Sequence, residues 1–156
     1  MKKYFIDELK AGSSVDGLIQ SIMGLPVTYI ATRDTEGSQT MVGSVGELSK
    51  VWEICDKHSY DRFKLSPRPY GNPKYSTDLA AAGKLLDYLR NTKKFCCLKL
   101  SSDYNYIYDF ELWLAENDHS TGMPDIVGSD QCAPMAICKA ALKWKFNTLL
   151  GKINYG

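Results

Sequence analysis

Apolar residues recur at helical spacing in four stretches of the chain and cluster or alternate as strands in three others. In Ser14 to Gly24, Val15, Leu18, Ile19, Ile22 and Met23 follow a capping Ser14 and end at a glycine, which predicts a short amphipathic helix. Leu25-Pro26 breaks it, and the β-branched and aromatic run Val27 to Thr32 predicts a strand. Residues 33–43 are polar and contain glycine, so they read as a turn or mobile loop. Leu48 to Cys55 places Leu48, Val51, Trp52 and Cys55 on one side of a helix. Asp61 to Lys74 carries prolines and a glycine that argue against regular pairing, and reads as a structured loop.

The strongest helix signal follows. Ser76 or Thr77 caps it, Asp78 sits in its first turn, and Leu79, Ala82, Leu86 and Leu89 form its buried stripe. Phe95 to Leu100 and Tyr106 to Ala115 read as the two strands of a hairpin. In the second strand Tyr106, Tyr108, Phe110, Leu112 and Leu114 share the core face, and Ile107, Asp109, Glu111 and Trp113 share the wet one. Glu116 to Gln131 reads as a polar loop. A last helix opens at Ala133-Pro134 with Ile137, Ala140, Ala141, Trp144 and Thr148 inward and Lys139, Lys143 and Asn147 outward, before a frayed tail at Gly151 to Gly156. The expected fold class is α/β, a small antiparallel sheet layered with helices as an α/β/α sandwich, in a single domain spanning 1–156.

With 156 residues, 44% of them hydrophobic, the chain has the size of one ordinary domain and needs no staples. Nineteen Lys and Arg against eighteen Asp and Glu leave a net charge of +1. No global field then draws it to nucleic acid or to an anionic membrane, and an anionic ligand must be held locally. No apolar run approaches the roughly 18 residues needed to span a bilayer, so the expected location is the cytoplasm. The five cysteines are an odd number and four of them, Cys55, Cys96, Cys97 and Cys138, occupy positions suited to a core, which argues for reduced thiols rather than disulfides. Cys55 and His58 lie close in sequence without the further ligands zinc needs, and no metal or cofactor is expected.

Leu18 to Gly24, Tyr75-Ser76-Thr77-Asp78-Leu79-Ala80-Ala81-Ala82, the hairpin ending in Trp113, and Ala133-Pro134-Met135-Ala136-Ile137-Cys138-Lys139-Ala140-Ala141-Leu142 occur in that order. Together they resemble the phage ABA-sandwich domain family, small proteins of bacteriophages and prophages with strands layered between helices. The second and fourth segments are the specific ones. The resemblance implies phage origin, and hence a bacterial host cell as the setting, without a catalytic activity. Residues 33–60 have no counterpart in it and stand as an insertion candidate.

Capped helix starts leave N–H groups that accept a phosphate. The loop before Tyr75 brings Lys64, Arg68, Tyr70 and Lys74 towards one of them, and arginine offers a phosphate fork while tyrosine offers a stacking face. The expected ligand-binding residues are Arg33, Arg62, Lys64, Arg68, Tyr70, Ser76 and Thr77. Small accessory phage domains commonly counter host defence. The expected function is therefore a non-enzymatic phage protein, a homo-oligomer, that sequesters a nucleotide-like immune signal of the host. The alternative is a phage protein that binds a host protein, with Trp52, Trp113 or the last helix as anchor. Third is a phosphodiesterase-like enzyme built on His119, and no catalytic residue is assigned.

Overall fold

The structure, a computed structural model, describes residues 6–35, 38–59 and 64–154, with side chains throughout except at 34, 35, 38, 39 and 148–154. Its elements are α1 (Ser13–Ile22), β1 (Tyr29–Thr35), β2 (Ser38–Gly46), α2 (Leu48–His58), β3 (Leu65–Pro69), α3 (Leu79–Asn91), β4 (Phe95–Ser102), β5 (Tyr108–Leu114), β6 (Ile126–Asp130) and α4 (Ala133–Asn154). The α/β class and the helix-on-sheet layering follow the sequence pattern. In place of one sheet there are two among the described residues, β2-β1-β3 and β4-β5-β6, each antiparallel throughout.

The larger core lies between β4-β5-β6 and the helices α1, α3 and α4. Along β5, Phe110 and Leu112 are buried, as the period of two predicts, while Tyr108 and Leu114 pack at the margin. Tyr106 is the exception. It sits in the turn before β5 with a positive φ and its side chain in solvent.

Helix α4 runs through the middle of this core, and every residue from Met135 to Leu142 is buried. Lys139, expected on the wet side, is 5% exposed. Its ammonium donates to the carbonyls of Asp7 and Ser129 and pairs with Asp130 Oδ2 at 2.9 Å. One turn on, Lys143 donates to the Val127 carbonyl and pairs with Asp7 at 2.6 Å. Lysine side chains bury their methylenes readily when the charged end finds acceptors. The backbone stays helical to Asn154 rather than fraying at Gly151, and Thr148 lies outside the described side chains.

Three expected loops turn out to contain strands. Within the polar stretch, residues 33–35 end β1 and 38–43 supply much of β2, an edge strand so exposed that only Val42 among its apolar residues packs inward. Alternation cannot signal a strand with almost no buried face. In the proline-rich loop, β3 pairs with β1 from Leu65 to Pro69. Tyr70 N–H donates to the Thr28 carbonyl, so the alternate positions Pro67 and Pro69 are those whose nitrogen points away from β1. In the polar loop after β5, β6 pairs with β5. Its Gly128 reads as a loop residue in sequence but marks a close approach, since a Cβ there would stand 2.3 Å from the Ala136 carbonyl oxygen of α4.

The second, small core is Ala31, Val51, Cys55 and Leu65, where α2 covers one face of β2-β1-β3. Residues 33–58 thus supply β2 and α2, which complete this second layer. Helix α1 bridges the two halves. It packs on α4 and on β3, where Gly17 lies so near Pro69 that an added Cβ would stand 2.5 Å from the proline Cβ.

Candidate functional site

Helix α1 begins in an unusual way. Its N-cap position is Gly12, with φ 154° and ψ −173°, a conformation L side chains rarely adopt, and no side chain caps the helix. The expected cap, Ser14, lies within the first turn. The helix start is held instead by the Gly12 N–H donating to Ser76 Oγ at 3.0 Å, and among the described residues no side chain caps the N–H groups of the first turn.

The segment that supplies Ser76 runs from the end of β3 to α3. Asn72 clasps Thr28, accepting its N–H at 2.9 Å and donating to its carbonyl at 3.1 Å, while Thr28 Oγ1 donates to the Tyr70 carbonyl at 2.6 Å. A tight turn then carries the chain into α3, with the Asp78 N–H bonded to the Lys74 carbonyl. The cap of α3 is Asp78, which accepts from the Ala80 N–H at 2.9 Å, rather than Ser76 or Thr77. Helix α3 therefore starts later than expected. Its buried stripe is Ala81, Ala82, Leu85 and Leu89, with Leu79 exposed at the first position.

Ser76 serves another purpose. It is fully buried, and both its N–H and its hydroxyl donate to Asp16 Oδ1, at 2.9 and 2.8 Å. Its carbonyl accepts from the Cys132 thiol at the start of α4. Beside it the buried Tyr75 hydroxyl donates to Gln20 Oε1 at 2.5 Å. Burial first, then the charge of Asp16 and proximity to Cys138, raises the Tyr75 pKa. Burial likewise pushes the Cys138 thiol up, with Asp16 and Cys132 adding to it. The starts of α1, α3 and α4 thus meet at one polar knot.

Two adjoining clefts open over this knot. The first, about 390 Å³, is lined among others by Asp16, Tyr70, Asn72, Lys74 and Thr77. The second, about 290 Å³, has Lys10, Ser14, Thr32, Met41, Arg68 and Tyr70 in its walls. Gly12, Ser13 and Tyr70 belong to both. Of the seven residues expected to bind ligand, Arg68, Tyr70 and Thr77 line the clefts and Ser76 lies beneath them. Arg33 pairs with Leu65 on the sheet face that α2 covers, whereas Arg68 pairs with Ile30 on the opposite face. Lys64 is exposed just before β3 and lines neither cleft, and Arg62 lies outside the described residues. Sequence reasoning left out Lys10, Gly12, Ser13 and Asp16. The signal for them was weak, since a glycine and serines before an apolar run mark any helix start.

Other candidate chemistry is committed elsewhere. His119 Nε2 lies 2.7 Å from the Leu114 carbonyl and must donate to it, while Nδ1 stands 3.8 Å from Asp125 Oδ2. Cys55 is buried in the small core, where desolvation and the nearby Asp56 raise its pKa, and His58 is exposed. Asp109 accepts from the Ser129 hydroxyl on the uncovered face of β5. No group of three or more potential metal ligands occurs among the described residues.

Asp125 ties the ends of the loop after β5 together, accepting from Asn117 Nδ2 and the Leu114 N–H, each at 2.7 Å. The Asn117 bond, the largest influence, holds its pKa below the usual carboxylate range against the opposing effect of burial, with the Leu114 bond and His119 adding smaller lowering contributions. A depressed folded-state pKa contributes stability above the unfolded value near 3.8, and that contribution disappears as pH falls through the folded value. Melting temperatures measured from pH 6 downward are therefore expected to fall more steeply below about pH 4 for the wild type than for Asp125→Asn. Parallel curves would show that Asp125 does not carry this dependence.

Fold and clefts together define a mixed α/β domain with a cationic, tyrosine-walled double cleft at a bare helix start. Comparison with known protein families, curated proteins and solved structures gives no match for the chain.

Proposed function

We propose that the protein is a non-enzymatic phage accessory protein that binds and sequesters a small nucleotide-like immune signal of its bacterial host. The observation that carries this reading is the gathering of Lys10, Arg68, Tyr70 and Lys74 around the uncapped start of α1. Arginine and lysine supply charge for a phosphate, helix N–H groups add donors, and Tyr70 offers a ring on which a base can stack. The resemblance of the Tyr75 and Ala133 segments to a phage family supplies the biological setting, and a homo-oligomer is part of the proposal.

Protein purified from infected or signal-producing cells, then denatured, is expected to release an intact nucleotide detectable by mass spectrometry. Arg68→Ala and Tyr70→Ala should each weaken retention about 10-fold or more, in line with the loss of a charge-assisted bond or a stacked ring. Release of a chemically altered nucleotide would make the protein an enzyme. No retained nucleotide, with both variants behaving as wild type against host defence, would sink the reading.

Docking of a host protein is the second reading, favoured by one observation. Trp52 and Leu48 stand one turn apart on α2 and are 47% and 40% exposed, whereas Trp144 is buried edge-on against Phe95. Recovery of one stoichiometric host protein, lost with Trp52→Ala, would move the assignment to that surface.

A further inference from the structure

The two clefts differ in charge. Among the described residues that line it, the one bearing Lys10 and Arg68 has two cationic side chains and no acid. The other has Lys74 and the carboxylate of Asp16. Asp16 is 5% exposed, and both hydrogen bonds it accepts fall on Oδ1. Asp16 lines the cleft, and Oδ2 carries neither of these bonds. A carboxylate that lines a cleft accepts from a hydrogen-bond donor there and repels a phosphate. An anion is therefore favoured on the Lys10 and Arg68 side of Tyr70 and disfavoured on the Asp16 side.

On the basis of the proposed nucleotide-binding reading, we infer that the clefts form one bipartite site with a fixed orientation. The phosphate lies between Lys10, Arg68 and the start of α1, the base packs on Tyr70, which lines both clefts, and a donor of the nucleoside bonds to Asp16 Oδ2. The ligand class is a nucleoside phosphate that presents an N–H or O–H to a carboxylate, either a ribose hydroxyl or a base amino group. Asp16 thus acts on both sides at once, holding Ser76 with one oxygen and selecting the ligand with the other.

Isothermal titration of the full chain with adenosine 5′-monophosphate, its 2′,3′-dideoxy and purine-riboside (6-deamino) analogues, and pyrophosphate tests this. Asp16→Asn keeps an acceptor oxygen for Ser76 but turns the other position into a donor. It is expected to weaken adenosine monophosphate binding about 10-fold or more while leaving pyrophosphate unchanged or tighter. Arg68→Ala should weaken both. With wild-type protein, the analogue whose loss matches the Asp16→Asn effect identifies the donor, dideoxy for the ribose and purine riboside for the amino group. Weaker wild-type binding of either analogue than of the parent nucleotide supports a nucleoside donor in the site even if Asp16→Asn does not fold. Equal binding of both analogues and the parent nucleotide, or Asp16→Asn weakening pyrophosphate as much as nucleotide, overturns the orientation while leaving nucleotide binding in place. Absence of any nucleotide or pyrophosphate binding overturns both the orientation and the function on which it rests.

Discussion

Gly128→Ala is expected to destabilise the protein by about 3 kcal/mol or more, at the upper end of what overpacking a core costs. The added methyl would stand 2.3 Å from the Ala136 carbonyl oxygen and 2.4 Å from the Ala140 nitrogen. Both are backbone atoms in the buried part of α4, so neither can swing aside as a side chain would. Relief requires moving β6 off the helix, which opens the larger core from Phe110 to Ile126. Gly83→Ala in α3 is the matched comparison. Nothing lies within 4 Å of its added Cβ, and alanine there should stabilise by up to about 1 kcal/mol through helix propensity alone. Urea denaturation of the two variants should shift the midpoint in opposite directions. A Gly128→Ala midpoint within error of wild type would contradict the contact between β6 and α4.

Lys139→Met should cost about 3 kcal/mol, the scale for breaking a buried ion pair from one side. Methionine fits the methylene path but leaves Asp130 Oδ2 and the carbonyls of Asp7 and Ser129 without their common donor. Most of the loss comes from the acceptors left behind. The double variant Lys139→Met/Asp130→Asn, in which the stranded charge is gone, is accordingly expected to recover part of it. Chemical denaturation of the single and double variants measures this, and a single variant as stable as wild type would remove the ammonium from the account of the core.

The parts of this fold that were legible in the sequence are those with one buried face and one wet face. The hairpin of β4 and β5 and the body of α3 show it, as do the inward Phe110 and Leu112. Periodicity is a record of asymmetric exposure, and elements without that asymmetry escaped it. The edge strand β2 is nearly all wet, β3 hides behind prolines set at alternate positions, and β6 is five residues with a glycine at its centre. Lys139 was misplaced for the opposite reason, because α4 is enclosed on every side and its lysine buries charge with acceptors from distant segments.

The candidate site was half legible. Arg68, Tyr70 and Thr77 precede a helix start in sequence, yet the helix they surround is α1, more than fifty residues earlier. Ser76 was chosen as a ligand contact and proves to be the residue through which α1, α3 and α4 are joined. Hydroxyls near helix starts look alike in sequence whether they face solvent or a buried carboxylate 60 positions away.

The lysines of α4 also bear on how the protein behaves in a crowded cell. Alternate residues of a strand aim their carbonyls to the same side, and in β6 those of Val127 and Ser129 are taken by the ammonium groups of Lys143 and Lys139. A strand at the end of a sheet ordinarily offers such carbonyls as a template for another chain. Here that template is occupied by charge, so edge-to-edge addition at β6 would have to displace two bonded cations. The same contacts that settle the helix against its sheet thereby guard this border of the molecule against aggregation.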